Sequence, residues 1–82
     1  MAYVVYILRS LKTSRFYCGQ TQHLYHRFVE HNSGETKSLR SGIPWALVWW
    51  EYHESRSSAV RREQYIKSRG IRRFLEDAGV DY

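Results

Sequence analysis

The chain has 82 residues, of which 43% are hydrophobic and 16% aromatic, and thirteen Lys and Arg against eight Asp and Glu give a net charge of +5. That length supports one domain over residues 1–82, the aromatic content excludes intrinsic disorder, and the single cysteine, Cys18, excludes a disulfide framework or a cysteine-rich zinc site. No apolar run reaches the roughly eighteen residues of a membrane span, and the N-terminal stretch does not read as a secretory signal, so the sequence points to a cytoplasmic domain away from membranes.

Ala2 to Arg9 is a continuous β-branched and aromatic run, the pattern of a mostly buried strand. Ser10 to Ser14 is polar enough for a hairpin connection, and Arg15 to Gln20 predicts the second strand. Thr21 is placed to cap a helix over Gln22 to His31, with Leu24, Phe28 and Val29 as its apolar stripe and Arg27 and His31 as an i,i+4 pair. Gly34 stands where a left-handed cap is wanted, and Glu35 to Ile43 reads as a loop. Pro44 opens a third strand through Trp45 to Tyr52. Ser55 or Ser57 caps a second helix over Ser58 to Arg69, Gly70 stops it, and Ile71 to Ala78 predicts a short helix with Phe74 and Leu75 inward. The order β-β-α-β-α-α implies an α/β (α+β) fold, a small three-stranded antiparallel sheet flanked by helices.

The charge is unevenly placed. Arg56, Arg61, Arg62, Lys67, Arg69, Arg72 and Arg73 crowd one segment with a single acid, Glu63, whereas the last nine residues are acidic. Such an Arg-rich segment suits a polyanion, most simply nucleic acid, though a solvated helix face carries charge in the same way.

Glu63 is out of place for a solvated face. Ala59, Glu63 and Ile66 fall on one side of the second helix, which turns the carboxylate toward the core, where it needs a partner. Lys67, one turn on, offers an ion pair in the favourable order, and a metal ion or a catalytic role is the other outcome. Tyr6 and Tyr17 lie in facing strands, where aromatic pairs are most often packing and where buried hydroxyls need partners. Gly19 inside a strand marks a bulge or a close approach to the backbone. His23 and His26 read as surface residues and Cys18 as a small buried one. An acid with Arg and Tyr on converging elements fits metal-assisted phosphodiester chemistry better than acyl transfer or redox work.

These residues, in this order, resemble the GIY-YIG nuclease family. Val4-Val5-Tyr6 matches its first half-motif and Tyr17-Cys18-Gly19 its second; Arg27 and Glu30 to Gly34 match its first helix and exit; Arg62-Glu63 followed by Ile66-Lys67-Ser68 matches its metal-binding helix. Val4 replaces a glycine, Cys18 an isoleucine, and Gln20 stands where some members carry lysine. The resemblance implies a stand-alone member in which Glu63 holds a divalent ion, magnesium or manganese. Arg27 would contact the scissile phosphate, Tyr6 and Tyr17 would position or deprotonate the attacking water with His31 beside them, and Gly19 would let the strand backbone lie against the site. On that resemblance the expected activity is endonucleolytic hydrolysis of DNA, structured or damaged, as in DNA repair. Nucleic acid would meet Gly19, Arg27, Arg61, Arg62, Lys67 and Arg69. The alternative is a nucleic-acid-binding module that keeps the fold with weak or no catalysis.

Overall fold

The computed structural model describes residues 2–82. Strand β1, Tyr3–Ser10, is central: it pairs antiparallel with β2, Phe16–Thr21, on one side and with β3, Trp45–His53, on the other, giving the order β2-β1-β3. Its uninterrupted apolar run follows from this position, because helices cover both faces and every residue from Val4 to Leu8 is buried. Val5 and Ile7 pack with Cys18 against Ala59, Ile66, Phe74 and Leu75, while Tyr6 and Leu8 point the other way, toward Leu39, Trp45, Leu24 and Phe28. Helix α1, Leu24–Ser33, thus lies on one face, and α2, Arg56–Arg69, with α3, Ile71–Asp77, on the other. The element order and the antiparallel sheet are those expected. No helix among the described residues is long and apolar enough to cross a membrane.

The helix boundaries needed correction. Thr21 does not cap α1: it remains in β2, paired with Val4, and its hydroxyl accepts from the His23 N–H at 3.0 Å, so the helix starts at Leu24 instead of Gln22. Val29 is exposed, and the inward stripe is completed by buried His31, because a satisfied imidazole can occupy a core position that a hydropathy pattern reserves for an apolar residue. Gly34 takes the expected left-handed conformation, with φ of 86°, and closes the helix on the Glu30 carbonyl. The region read as loop contains a 3₁₀ helix, Lys37–Gly42. Helix α2 begins at Arg56, capped by Ser55, whose hydroxyl accepts from the Ser58 N–H at 3.1 Å.

The return from α1 to β3 is clamped by side chains. Asn32 donates to the Trp45 carbonyl at 3.0 Å and accepts from the Trp45 N–H at 2.6 Å, and the Trp45 indole donates to the Leu39 carbonyl at 2.8 Å. Ser10 donates to the Gly42 carbonyl at 2.6 Å, tying the end of β1 to the same turn. A Cβ on Gly42 would fall 2.3 Å from Cζ2 of the buried Trp45 ring. Gly42→Ala is therefore expected to cost about 1–3 kcal/mol through forced repacking, seen as a melting point lower by some 4–8 °C per kcal/mol. An unchanged melt would mean that ring and turn separate freely.

Candidate active site

The register places Tyr6 opposite Gly19 and Leu8 opposite Tyr17, so both tyrosines rise from the same sheet face with the glycine between them. A Cβ on Gly19 would stand 2.9 Å from the Tyr6 hydroxyl oxygen and 3.1 Å from that of Tyr17. The two hydroxyls therefore meet over bare backbone, and glycine is required there by close approach rather than by dihedral angle. His31 closes the group from α1. Its Nε2 is 2.9 Å from the Tyr6 hydroxyl and its Nδ1 is 2.8 Å from the Thr36 hydroxyl, and its ring meets Tyr17 edge-on at 5.3 Å between centroids. Both hydroxyl partners can donate or accept, so a neutral ring is satisfied in either tautomer.

Titration follows from this burial. Loss of solvent, reinforced by the Arg27 guanidinium, holds the His31 pKa below its ordinary 6.5. Burial pushes the Tyr6 phenol well above its ordinary range; Tyr17 and the Glu63 carboxylate push in the same direction, and Arg27 opposes them.

Arg27 is half-exposed and makes a loose i,i+3 contact with Glu30 at 3.5 Å; the expected pairing with His31 does not form. Glu63 turns inward as its spacing predicts, though only partly: its side chain keeps 22% of its exposure, and Oε2 accepts from Lys67 Nζ at 2.6 Å. The ion pair raised as a possibility by the sequence is present, and the hydrogen bond to Glu63 raises the Lys67 pKa. Burial, then the Glu63 charge, pushes the Cys18 thiol up to about 12, so this cysteine is a packing residue, as its surroundings in the sequence suggest.

The remaining cations divide. Arg61 is exposed, reaching back to the Ser57 hydroxyl at 3.0 Å. Arg62 turns away from Glu63: it pairs with Glu51 of β3 at 3.1 Å and lies over the Tyr65 and Phe74 rings. Arg69 pairs with Asp77 at 2.8 Å. Contacts thus gather Tyr6, Tyr17, Gly19, His31 and Thr36 on one face of the sheet, with Arg27 on the same helix as His31, while Glu63 pairs with Lys67 on α2 and Arg62 and Arg69 are held by acids of β3 and α3. One participant escapes a reading of the sequence. Thr36 carries no periodic or motif signal and is brought to His31 only by the turn after α1. Arg56 shares with Arg27 a cleft of about 260 Å³, lined also by Tyr3, Gln20, Thr21, Gln22 and His23.

For a metal, the donors here are few. No three His, Cys, Asp or Glu side chains gather as a cage among the described residues. A single part-buried carboxylate, Glu63, would suit magnesium, which keeps most of its water and takes one or two protein carboxylates, and does not suit a zinc centre built from His and Cys.

Known sequences place this fold: the chain belongs to the family described as the GIY-YIG catalytic domain, whose model matches residues 2–72. Relatives include a UPF0213 protein of Bacillus cereus, 40% identical over 53 residues that cover 63% of this chain and 55% of that protein. Another is a UPF0213 protein of Haloquadratum walsbyi, 39% identical over 80 residues, 94% of this chain and 89% of that one. The chain thus spans about half the length of the Bacillus cereus relative, 55%, and most of the archaeal one, 89%. A UPF0213 protein of Bacillus halodurans, solved by NMR in solution, superposes with a TM-score of 0.60 at 29% identity, covering 96% of this chain and 84% of that chain. Membership supports a nuclease-like role and a nucleic-acid substrate.

The buried imidazole makes stability depend on pH. Because the folded pKa of His31 lies below 6.5, the unfolded chain takes up the proton first as pH falls. The ring's contribution is therefore complete above the unfolded pKa and is lost on going down from it toward the folded value. Between about pH 7.5 and pH 5.5 the urea midpoint should fall more steeply for the wild type than for His31→Gln. Parallel curves would show that the ring titrates alike in both states.

Proposed function

We propose that this domain is a divalent-metal-dependent endonuclease that hydrolyses phosphodiester bonds of DNA, with structured or damaged DNA as its substrate. The observation that carries the reading is the meeting of the Tyr6 and Tyr17 hydroxyls over the bare backbone of Gly19, with His31 Nε2 2.9 Å from the Tyr6 hydroxyl. A phosphate held by Arg27, on the helix that carries His31, would lie toward these hydroxyls.

Glu63 would hold the ion, magnesium or manganese, which when bound supplies the positive charge that polarises the phosphate. Arg27 is free to take a phosphate oxygen at small cost, since its surface contact with Glu30 contributes only about 0–1 kcal/mol, and there it stabilises the charge that develops during attack. Tyr17 and Tyr6 orient the water over Gly19. Burial disfavours a Tyr6 phenolate, so Tyr6 serves as a relay: its oxygen accepts the water's proton while its own proton passes to His31 Nε2. His31 is able to receive it because its lowered pKa leaves the ring neutral near pH 7. Thr36 then accepts from Nδ1–H of the charged ring.

One observation favours the alternative, a binding module without hydrolysis. The Lys67 ammonium, 2.6 Å from Glu63 Oε2, competes with a metal for the carboxylate. Plasmid nicking with magnesium, set against EDTA, separates the two. Under the enzyme reading, wild type nicks only with the metal, and Glu63→Gln falls to background. Its stability should stay within about 1 kcal/mol, since a half-exposed i,i+4 pair adds little. Arg27→Ala should lose about 10²–10³ in rate. If Glu63→Gln melts well below wild type and still nicks, Glu63 is a structural ion-pair partner and the enzyme reading fails.

Tyr17→Phe and Tyr6→Phe distinguish the two phenols. Tyr6→Phe removes the relay and the buried partner of His31, so rate and stability should fall together, the latter by about 1–3 kcal/mol. Half-buried Tyr17 should affect rate with little change in melting. The opposite pattern would exchange their roles.

A further inference from the structure

Two large aromatic side chains stand unprotected on the sheet. Trp50 is 51% exposed and Tyr52 70% exposed, in the interior of β3, where neighbouring side chains normally cover such rings. Their register partners are Tyr6 and Val4, so both rings project from the face that also carries the site tyrosines. Val4 is in turn opposite Thr21, so Tyr52, Val4 and Thr21 form one row across the sheet, about 9.6 Å from end to end. Thr21 lines the cleft that holds Arg27 and Arg56. Tyr25, 81% exposed, lies in the first turn of α1, just after the same end of β2. One end of the sheet therefore presents bare π faces on one side and a cationic cleft on the other.

We propose that this end of the sheet, with Trp50 and Tyr52 as platform and Arg27 and Arg56 as phosphate contacts, binds a single-stranded segment of nucleic acid. The proposal rests on the nuclease reading for its choice of polyanion and adds the form of substrate: a strand unpaired beside the point of cleavage. Ring spacing selects the single strand. Residues two apart on a strand are separated by about 6.8 Å, twice the roughly 3.4 Å between successive nucleotides in a B-form strand. Adjacent bases can each lie on a ring only when they are unstacked from one another, and a duplex keeps its bases stacked. Charge makes the same choice over a second copy of this chain, because a chain of net charge +5 attracts a phosphate backbone and repels its own kind. Base stacking on exposed aromatics beside a basic groove is how single strands are held without sequence preference.

The test is binding in EDTA, where nothing is cut. Fluorescence anisotropy would compare an oligothymidylate of about twelve nucleotides with a duplex of equal length, on wild type, on Trp50→Ala/Tyr52→Ala and on Trp50→Phe/Tyr52→Phe. The alanine pair should weaken single-strand binding about thirtyfold or more and duplex binding by no more than about twofold, while the phenylalanine pair stays within about threefold of wild type on both. Equal losses on the two probes, or none on the single strand, overturn the platform. So does a wild-type dimer in sedimentation that the alanine pair dissolves, since the rings would then cover a second copy. The platform and the nuclease reading fail separately. Selective single-strand loss without magnesium-dependent nicking leaves the platform standing, and nicking without that loss leaves the enzyme alone.

Discussion

The hydrogen bond between Tyr6 and His31 is the constraint from which the site is built. It joins the middle of the central strand to the last turns of α1, both partners are buried, and either one left alone would cost about 1–3 kcal/mol. Helix α1 therefore cannot slide or rotate on the sheet without breaking it. Arg27 sits one turn before His31 and is carried to the same place. Thr36 completes the ring's hydrogen bonding from the chain that follows the helix, so one imidazole fixes strand, helix and turn. The space above Gly19 is filled by this arrangement: two hydroxyls occupy the volume that any other residue would need for its Cβ.

The polar groups around the sheet are tied to different degrees. On the β3 side, Glu51 joins Arg62 and His53, and His53 joins Ser58, so that α2 is bound to the sheet by a chain of polar contacts that satisfies its members internally. Arg27 of α1 and Glu63 of α2 have fewer such ties: Arg27 has a loose surface contact and Glu63 shares a proton donor that is itself 50% exposed. Groups committed to one another hold the fold, and groups with loose partners are free to exchange them for a ligand. Arg62, cationic in the sequence, belongs to the first kind because Glu51 claims it, whereas Arg69 pairs with Asp77 on the open surface.

The distinction bears on what the chain alone could reveal. Strands were legible because β-branched and aromatic runs reflect two-sided burial directly, and Gly34 and Gly70 marked helix ends through the conformations they adopt, with φ of 86° and 97°. The start of α1 was not, because Thr21 has the chemistry of a cap and the pairing of a strand, and cross-strand pairing decided it. Helical spacing correctly turned Glu63 inward and offered Lys67 as its partner. It misplaced Val29, because the pattern has no way of knowing that an imidazole with two hydrogen bonds fills the position. Thr36 was invisible for a related reason: its role depends on a turn whose shape is set by contacts distant in sequence. The family match over residues 2–72 bears out the resemblance read from the sequence, whereas the chemistry assigned to each residue belongs to the proposal.

Cys18 lies under α2, buried beside Ala59 and Ile66, with its thiol held protonated at neutral pH. Since only the thiolate attacks disulfides and alkylating reagents, the native chain carries a chemically silent sulfur at the seam between its edge strand and the helix that bears Glu63. The sulfur becomes reactive when that seam parts. Its labelling rate is thus a clock for the opening of the site's floor, readable on the natural sequence and without an added probe.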